Sequence, residues 1–280
     1  IATTTGHVSS RGSTSRNNVY VLDSKLDPVG KLENLAPGEQ TYSARFIGDR
    51  CYLVTFKKID PLFTIDMSDP NKPRVLGKLK IPGYSSYLHP YDRNHIIGIG
   101  KETVEAEEGE FAWYQGLKIS LFDVSNVNSP KEVGKLIIGD RGTESPVLQD
   151  HHAFLFDKKR DLIVIPVLEA EIFPEKHRQG TPPSTHGEYV FQGAYVINVN
   201  PDVGVVEKGK ITHIVDPEEF LKSGYYFGSH YEIRRSFFID NILYTVSNEV
   251  IKANNLTDLR EISATEFTVH QCACCAIDCE

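Results

Sequence analysis

Four of the five cysteines lie within eight residues near the end of the printed chain, shortly after a histidine. The set is His270, Cys272, Cys274, Cys275 and Cys279. Thiolates and imidazoles bind zinc, copper(I) and iron–sulfur clusters, although this spacing is not a standard zinc or ferredoxin pattern. In an oxidising compartment the same cysteines can form disulfides instead. The segment therefore predicts disulfides, a bound metal ion or cluster as the cofactor, or an intermolecular or unordered role.

Histidines and arginines form a second group of candidates, because most of them lie at or near the start of a repeated pair of strands. The group contains Arg45, His89, His95, His151, His152, His230, Arg234 and Arg235. If these positions converge on a central channel, the imidazoles suit a transition metal and the arginines a small anion. The alternative is a structural role, in which each side chain bonds a turn or a nearby carbonyl. Convergence predicts a locally positive entrance despite the net charge of −8.

Several function classes are disfavoured by what the sequence lacks. It contains no G-x-S-x-G, H-E-x-x-H, P-loop or G-x-G-x-x-G motif. A net charge of −8 without a stripe of Lys and Arg argues against nucleic acid, because phosphate binding relies on clustered positive charge. No apolar run approaches the roughly 18 to 20 residues of a membrane helix.

Since the chain begins with Ile1, we expect a processed chain or a piece of a longer one.

An internal repeat indicates which elements position these candidates. Residues 19–35, 62–81 and 119–138 each combine an alternating apolar strand, a turn rich in Asp, Ser, Asn and Pro, and a second strand around Gly-Lys-Leu. Two weaker copies follow at 194–213 and 249–265. The markers of the five copies are Asp23, Asp66, Asp123, Asn198 and Asn254. Because Asx side chains bond nearby backbone amides, we interpret these residues as turn formers rather than catalytic groups.

A second kind of hairpin precedes each of the last four copies. These hairpins span 44–56, 87–100, 153–166 and 236–247. Each unit then has four strands, and the markers recur at intervals of 43, 57, 75 and 56 residues. This spacing is typical of β-propeller blades with loop insertions, whereas a β-sandwich needs no four-strand period. We predict an all-β propeller of four-stranded antiparallel blades, about five in this chain, with an incomplete first blade whose second strand is 2–6.

Alternation along the second strands of these hairpins also predicts part of the core. The residues expected to be buried between sheets are Val54, Phe56, Ile97, Ile99, Ile163, Ile165, Tyr244 and Val246.

Long runs of the sequence resemble a known family. They are residues 31–102, 117–143, DHHAFLFD at 150–157 and RRSFFIDNILYTVS at 234–247. Together they resemble the secreted C-terminal β-propeller domain family, which is distantly related to WD40 repeats and found mainly in archaea. The resemblance covers roughly 17–267 and implies a propeller in an extracellular or cell-envelope setting, with no catalytic residues to carry over. We therefore divide the chain into a propeller, 1–267, and a Cys-rich tail, 268–280.

Three functions are compatible with this reading. The first is a non-enzymatic binding or scaffolding module outside the cytoplasm, which uses the rigid propeller face for a protein or cell-surface partner. The second is a metal-binding or redox protein that uses the tail cysteines or the channel histidines. The third is an enzyme with an active site at the channel mouth.

Overall fold

A computed structural model describes residues 1–9, 12–57, 60–107, 111–176, 181–216, 218, 220 and 227–267. Within these ranges the chain is mostly antiparallel β structure, arranged in five main sheets. The first sheet has three strands in the order β1 (Ala2–Thr5), β4 (Arg16–Leu22) and β5 (Pro28–Leu35). A small hairpin of β2 (Val8–Ser9) and β3 (Gly12–Ser13) is inserted after β1.

Four sheets of four strands follow along the chain, each in simple sequential order. The second sheet contains β6 (Gln40–Ile47), β7 (Arg50–Phe56), β8 (Asp60–Asp66) and β9 (Arg74–Ile81). The third contains β10 (Tyr84–Pro90), β11 (His95–Glu105), β12 (Ala112–Asp123) and β13 (Lys131–Ile138). The fourth contains β14 (Leu155–Asp157), β15 (Leu162–Glu171), β16 (Glu188–Asn200) and β17 (Gly204–Ile211). The fifth contains β18 (Arg235–Ile239), β19 (Ile242–Val246), β20 (Val250–Asn255) and β21 (Glu261–Glu266).

This architecture confirms the predicted fold of four-stranded antiparallel propeller blades, and all four predicted hairpins are present. The first sheet lacks a fourth strand, as its sequence indicated. In the part of the chain that the structure describes, three 3-10 helices span Pro146–Leu148, His151–Ala153 and Pro174–Lys176. The sheets do not close into a ring within the described ranges. Among the same residues, none belongs to a helix with the length and apolar character needed to cross a membrane.

The hydrophobic core consists of four layers, one between each pair of successive sheets. Between the third and fourth sheets, for example, Ile97 and Ile99 of β11 belong to the same buried cluster as Ile163 and Ile165 of β15. Six predicted core residues are buried, namely Val54, Phe56, Ile97, Ile99, Ile163 and Ile165. One blade cannot bury both of its faces alone. Each inner sheet therefore packs against a neighbouring sheet on either side.

The core prediction is wrong for the fifth sheet, where Tyr244 and Val246 are only half-buried and Leu243 is buried instead. Leu243 lies on the face of β19 that packs against the fourth sheet. Tyr244 lies on the opposite face, where its ring stacks on that of Phe237 at 4.9 Å between centroids. Phe237 is 42% exposed, so this face of the sheet is open. Alternation was present, but the sequence did not show that only one face would be covered.

The marker aspartates have the predicted structural role in the turns. The carboxylates of Asp23, Asp66 and Asp123 accept hydrogen bonds from the backbone N–H groups two residues further on, at 2.8, 3.0 and 2.8 Å. In the two weaker copies the corresponding bonds are made by Asn200 and Asn255 rather than by Asn198 and Asn254. The Asn that forms the turn hydrogen bond therefore lies two residues after the marker in the fourth sheet and one residue after it in the fifth.

Candidate functional site

The segment before β14 builds the centre of the candidate site by lying along β15. Glu144 and Leu168 exchange two backbone hydrogen bonds, each of 2.8 Å. The Ser145 hydroxyl donates to the Pro166 carbonyl at 2.6 Å. This segment and β14 therefore cover different parts of β15, and the residues between them interrupt the first strand of the fourth sheet. His151 and His152 lie in that interruption.

Asp150 organises the interruption by capping the short helix that contains the two histidines. Its Oδ1 accepts a hydrogen bond from the backbone N–H of His152 at 3.0 Å and lies 2.9 Å from His152 Nδ1. Its Oδ2 accepts a hydrogen bond from Arg235 of the fifth sheet. The pKa of Asp150 is lowered, first by the hydrogen bonds from His152 and then by the charge of Arg235. The rings of His151 and His152 stack at 4.2 Å between centroids.

Gln192 fixes the arginines of the fifth sheet from the neighbouring strand β16. Its Oε1 accepts a hydrogen bond from the Ile233 N–H at 3.0 Å, and its Nε2 donates to the Ile233 carbonyl at 3.1 Å. Because Gln192 and Ile233 are buried, the backbone that carries Arg234 and Arg235 is anchored. Arg234 lies 3.9 Å from a Glu232 carboxylate oxygen. The arginines of the fifth sheet are therefore accompanied by carboxylates, and the locally positive channel entrance stays a prediction.

His89 belongs to an aromatic cluster that contacts the stacked histidines through Tyr87. Its Nδ1 lies 2.9 Å from the Tyr87 hydroxyl, and its ring centroid lies 4.8 Å from that of Phe154. Burial, reinforced by the positive charge of Arg45, lowers the pKa of His89 to about 4. The Tyr87 ring in turn stacks on His151, with 6.4 Å between centroids. His89 is thus neutral at neutral pH and packs among the rings of Tyr87, Phe154 and Phe156.

The structure therefore brings most of the predicted channel residues together. Ring stacking and hydrogen bonds connect His89, His151, His152 and Arg235 through Tyr87 and Asp150. Arg45 is near enough to lower the pKa of His89 by its charge, and Arg234 is next to Arg235 in the chain. The backbone carbonyl of His230 accepts a hydrogen bond from the N–H of Asn248, a residue that lines the first of the two cavities described below, at 3.1 Å. Ligand binding by these residues stays a prediction.

His95 and the cysteines have different positions. The His95 Nδ1 lies 2.9 Å from an Asp92 carboxylate oxygen in the turn before β11, which is the structural role that the sequence left open. Cys51 is a buried free thiol, and burial raises its pKa to about 12. The predicted metal or disulfide residues lie outside the described ranges: His270, Cys272, Cys274, Cys275 and Cys279.

Two adjoining cavities lie beside the segment that covers β15. The first has a volume of about 720 Å³ and is lined by Glu144, Ser145, Pro146, Gln149, Leu168, Gln192, Glu232, Ile233, Arg234, Arg235, Val246 and Asn248. The second has a volume of about 600 Å³ and is lined by Gln40, Thr41, Tyr42, Tyr84, Ser86, Lys101, Tyr114, Glu144, Leu148 and Gln149. Glu144 and Gln149 line both cavities, so the two spaces adjoin at these residues.

Lys101 contributes a buried positive charge to the second cavity. Its Nζ donates to the Thr143 carbonyl and, at 2.9 Å, to Glu144 Oε1. Burial lowers the pKa of Lys101, and the Glu144 carboxylate counteracts that effect. Three tyrosines line the same cavity, and the hydroxyls of Tyr42 and Tyr114 lie 3.0 Å apart.

Sequence reasoning missed Lys101, Glu144, Gln149 and Asp150. Lys101 gave no signal, because its partner Glu144 lies 43 positions further along the chain. Asp150 did give one, since an aspartate directly before two histidines is a run of three adjacent metal-ligating residue types.

Comparison with known proteins agrees with this fold. The model of the family described as "Beta propeller domain" matches residues 1–259. An uncharacterized protein of Methanocaldococcus jannaschii is 39% identical over 270 residues, which are 95% of this chain and 35% of the relative. One from Archaeoglobus fulgidus is 43% identical over 150 residues, which are 54% of this chain and 22% of the relative. The chain thus spans about a third or less of these relatives.

A solved structure, a europium-containing methanol dehydrogenase, superposes on 95% of this chain with a TM-score of 0.51. The match covers 49% of that enzyme, and the sequence identity is 9%. At this identity the likeness shows the propeller fold and carries no information on activity.

Proposed function

Because this chain belongs to the β-propeller domain family and has archaeal relatives, we propose that it is a non-enzymatic binding module that acts outside the cytoplasm. The observation that carries the proposal is the pair of adjoining cavities, whose walls come from the second, third, fourth and fifth sheets. Ligand sites of this size are mostly apolar with a few fixed polar groups, and the lining of the first cavity fits this description. The extracellular setting is supported by the resemblance to secreted propeller domains.

Rigid walls favour binding, because little conformational entropy is lost when a partner docks on them. Gln192 anchors the backbone beside the first cavity, and Ser145 anchors the segment between the two cavities. The wall of the first cavity combines apolar Leu168 and Val246 with the guanidinium groups of Arg234 and Arg235. This mixture suits a protruding group of a protein or cell-surface partner that is apolar at its tip and polar at its base.

Sedimentation with fractions of the source organism tests the proposal. We expect the full chain to bind the cell-envelope fraction and to stay in the supernatant with the cytoplasmic fraction. Glu144→Gln changes the side chain shared by both cavities and should weaken binding about tenfold, as expected for the loss of a charged hydrogen bond. The matched control is Glu207→Gln, at an exposed position of β17.

Two results would count against this function. Equal binding to both fractions would remove the extracellular assignment. Equal binding by the parent, Glu144→Gln and Glu207→Gln would place the contact surface away from the cavities. The melting temperature of each variant identifies any loss caused by unfolding, because Glu144 also pairs with the buried Lys101.

A further inference from the structure

Asp150, His151 and His152 form a compact group of possible metal ligands, which we call the Asp-His-His turn. One donor atom from each of the three residues lies within 4.8 Å of the other two. We propose that the Asp-His-His turn binds a divalent transition metal ion such as Zn²⁺ through two imidazole nitrogens and one carboxylate oxygen.

The donor types select this class of ion. Imidazole nitrogens suit zinc, copper and nickel, whereas calcium takes six to eight oxygen ligands and magnesium prefers oxygen and water. Three protein ligands with one open position are the usual arrangement of accessible zinc sites. An anion is less well matched to this place, because both neighbouring arginines face carboxylates: Arg235 is paired with Asp150, and Arg234 lies near Glu232.

The distances require only a small adjustment. With metal–ligand bonds of about 2.0–2.2 Å in a tetrahedral site, ligand atoms are about 3.3–3.6 Å apart. The three donor atoms are separated by up to 4.8 Å, and both histidines are exposed, so rotation of their side chains brings the nitrogens closer. The hydrogen bond between His152 Nδ1 and Asp150 Oδ1 breaks when either atom coordinates the ion.

Hydrogen bonds from neighbouring residues hold the Asp150 carboxylate in place for metal binding. Arg235 donates to Asp150 Oδ2, while the backbone N–H of His152 bonds Oδ1. Partners of this kind orient metal-binding carboxylates and are themselves important for affinity. The His151 ring stacks on the rings of His152 and Tyr87, which keeps it near the other two donors before the small rotation that metal binding requires.

The location gives the ion a defined relation to the cavities. Gln149, the residue before the turn, lines both of them, and Arg235 lines the first. An ion with an open coordination position there would lie next to the space in which the proposed partner binds. The metal site itself does not depend on that partner, so it can be tested alone.

Metal titration of the full 280-residue chain tests the proposal. Every sample carries serine in place of Cys272, Cys274, Cys275 and Cys279, because thiolates there would bind the same ions. Zn²⁺ is followed by calorimetry and Co²⁺ by visible absorption, which reports coordination geometry. We expect one ion per chain in this parent protein, with a low-coordinate cobalt spectrum.

Three variants make the assignment specific. The double change His151→Ala and His152→Ala should lower the affinity for Zn²⁺ by about tenfold or more, as should Asp150→Asn, which keeps an oxygen to cap the helix. The matched control is His95→Ala, because the His95–Asp92 pair has the same 2.9 Å contact but no second histidine. The control should bind Zn²⁺ like the parent.

The proposal is overturned if the parent binds no more Zn²⁺ than the double variant. It is also overturned if His95→Ala loses as much affinity as the double variant does. Since His151, His152 and their variants are at exposed positions, the metal-free melting temperatures should match, which separates lost ligation from lost folding.

Discussion

At the scale of single residues, His213 is a buried histidine whose charge state is coupled to folding. It is 2% exposed, and its two ring nitrogens lie 3.0 Å from the Ser247 hydroxyl and 2.9 Å from the Thr245 hydroxyl. Burial lowers the pKa of His213 from its ordinary value of 6.5 to about 4. The folded protein therefore holds this imidazole neutral over a pH range in which the unfolded chain binds a proton.

We expect the free energy of unfolding to decrease as the pH falls from 6.5 towards 4. The contribution of His213 is fully present above the unfolded pKa and is lost as the pH approaches the folded one, by up to about 3 kcal/mol. Urea unfolding at pH 7.5, 5.5 and 4.5 measures how the free energy of unfolding depends on pH. His213→Gln should lose part of the pH dependence, whereas His7→Gln, at an exposed position, should keep it. Identical pH profiles for the parent and His213→Gln would contradict the assignment.

At the scale of elements, stability comes from sheet faces that are covered by the next sheet. Ile165 of β15 is fully buried in the layer between the third and fourth sheets, and its strand partner is Tyr195 of β16. Ile137 of β13 is the matching residue type on an outer strand, where it is 41% exposed. The two isoleucines therefore separate the effect of burial from the effect of strand position.

Ile165→Ala should destabilise the protein by about 2–5 kcal/mol, because it removes buried apolar contacts and leaves a cavity. Ile137→Ala should cost less than about 1 kcal/mol, since the side chain is already in contact with water. Chemical denaturation of both variants gives the two values. A loss at Ile165 as small as that at Ile137 would show that β15 does not lie between two sheets.

At the scale of the whole molecule, the division into a propeller at 1–267 and a tail at 268–280 stays a prediction, because the tail lies outside the described residues. We expect disulfides in the tail to lower the intact mass by about 2 Da per bridge relative to the reduced protein. Cys51 serves as an internal control that resists alkylation in the native state, since it is buried and its thiol pKa is raised to about 12. If the tail is disulfide-bonded, chelators should leave the stability of the protein unchanged.

A bound metal would give the opposite result in the same experiment. Acid or a strong chelator would then release the ion and expose the thiols, without any mass deficit from bridges. Four thiols that react freely in the native, metal-free chain would contradict both assignments.

Local patterns were sufficient for the elements and for part of the candidate site. The four hairpins and the turn aspartates follow from strand alternation and from Asx side chains that bond amides two residues away, and both signals lie within a few residues. His151 and Arg235 were recognised because of their place in the repeat. The burial of Tyr244 was predicted wrongly, because alternation does not indicate whether a sheet covers one face or two.

By itself the sequence determined the sheet architecture, the order of strands in each blade and the group of histidines and arginines near their starts. Only the tertiary structure decided how those side chains are paired. Asp150 meets Arg235 across 85 positions of the chain, and Lys101 meets Glu144 across two sheets. The physical reason is that repeats and turns arise from neighbouring residues, whereas the pairing of charges depends on how separate sheets pack and how far each side chain is buried.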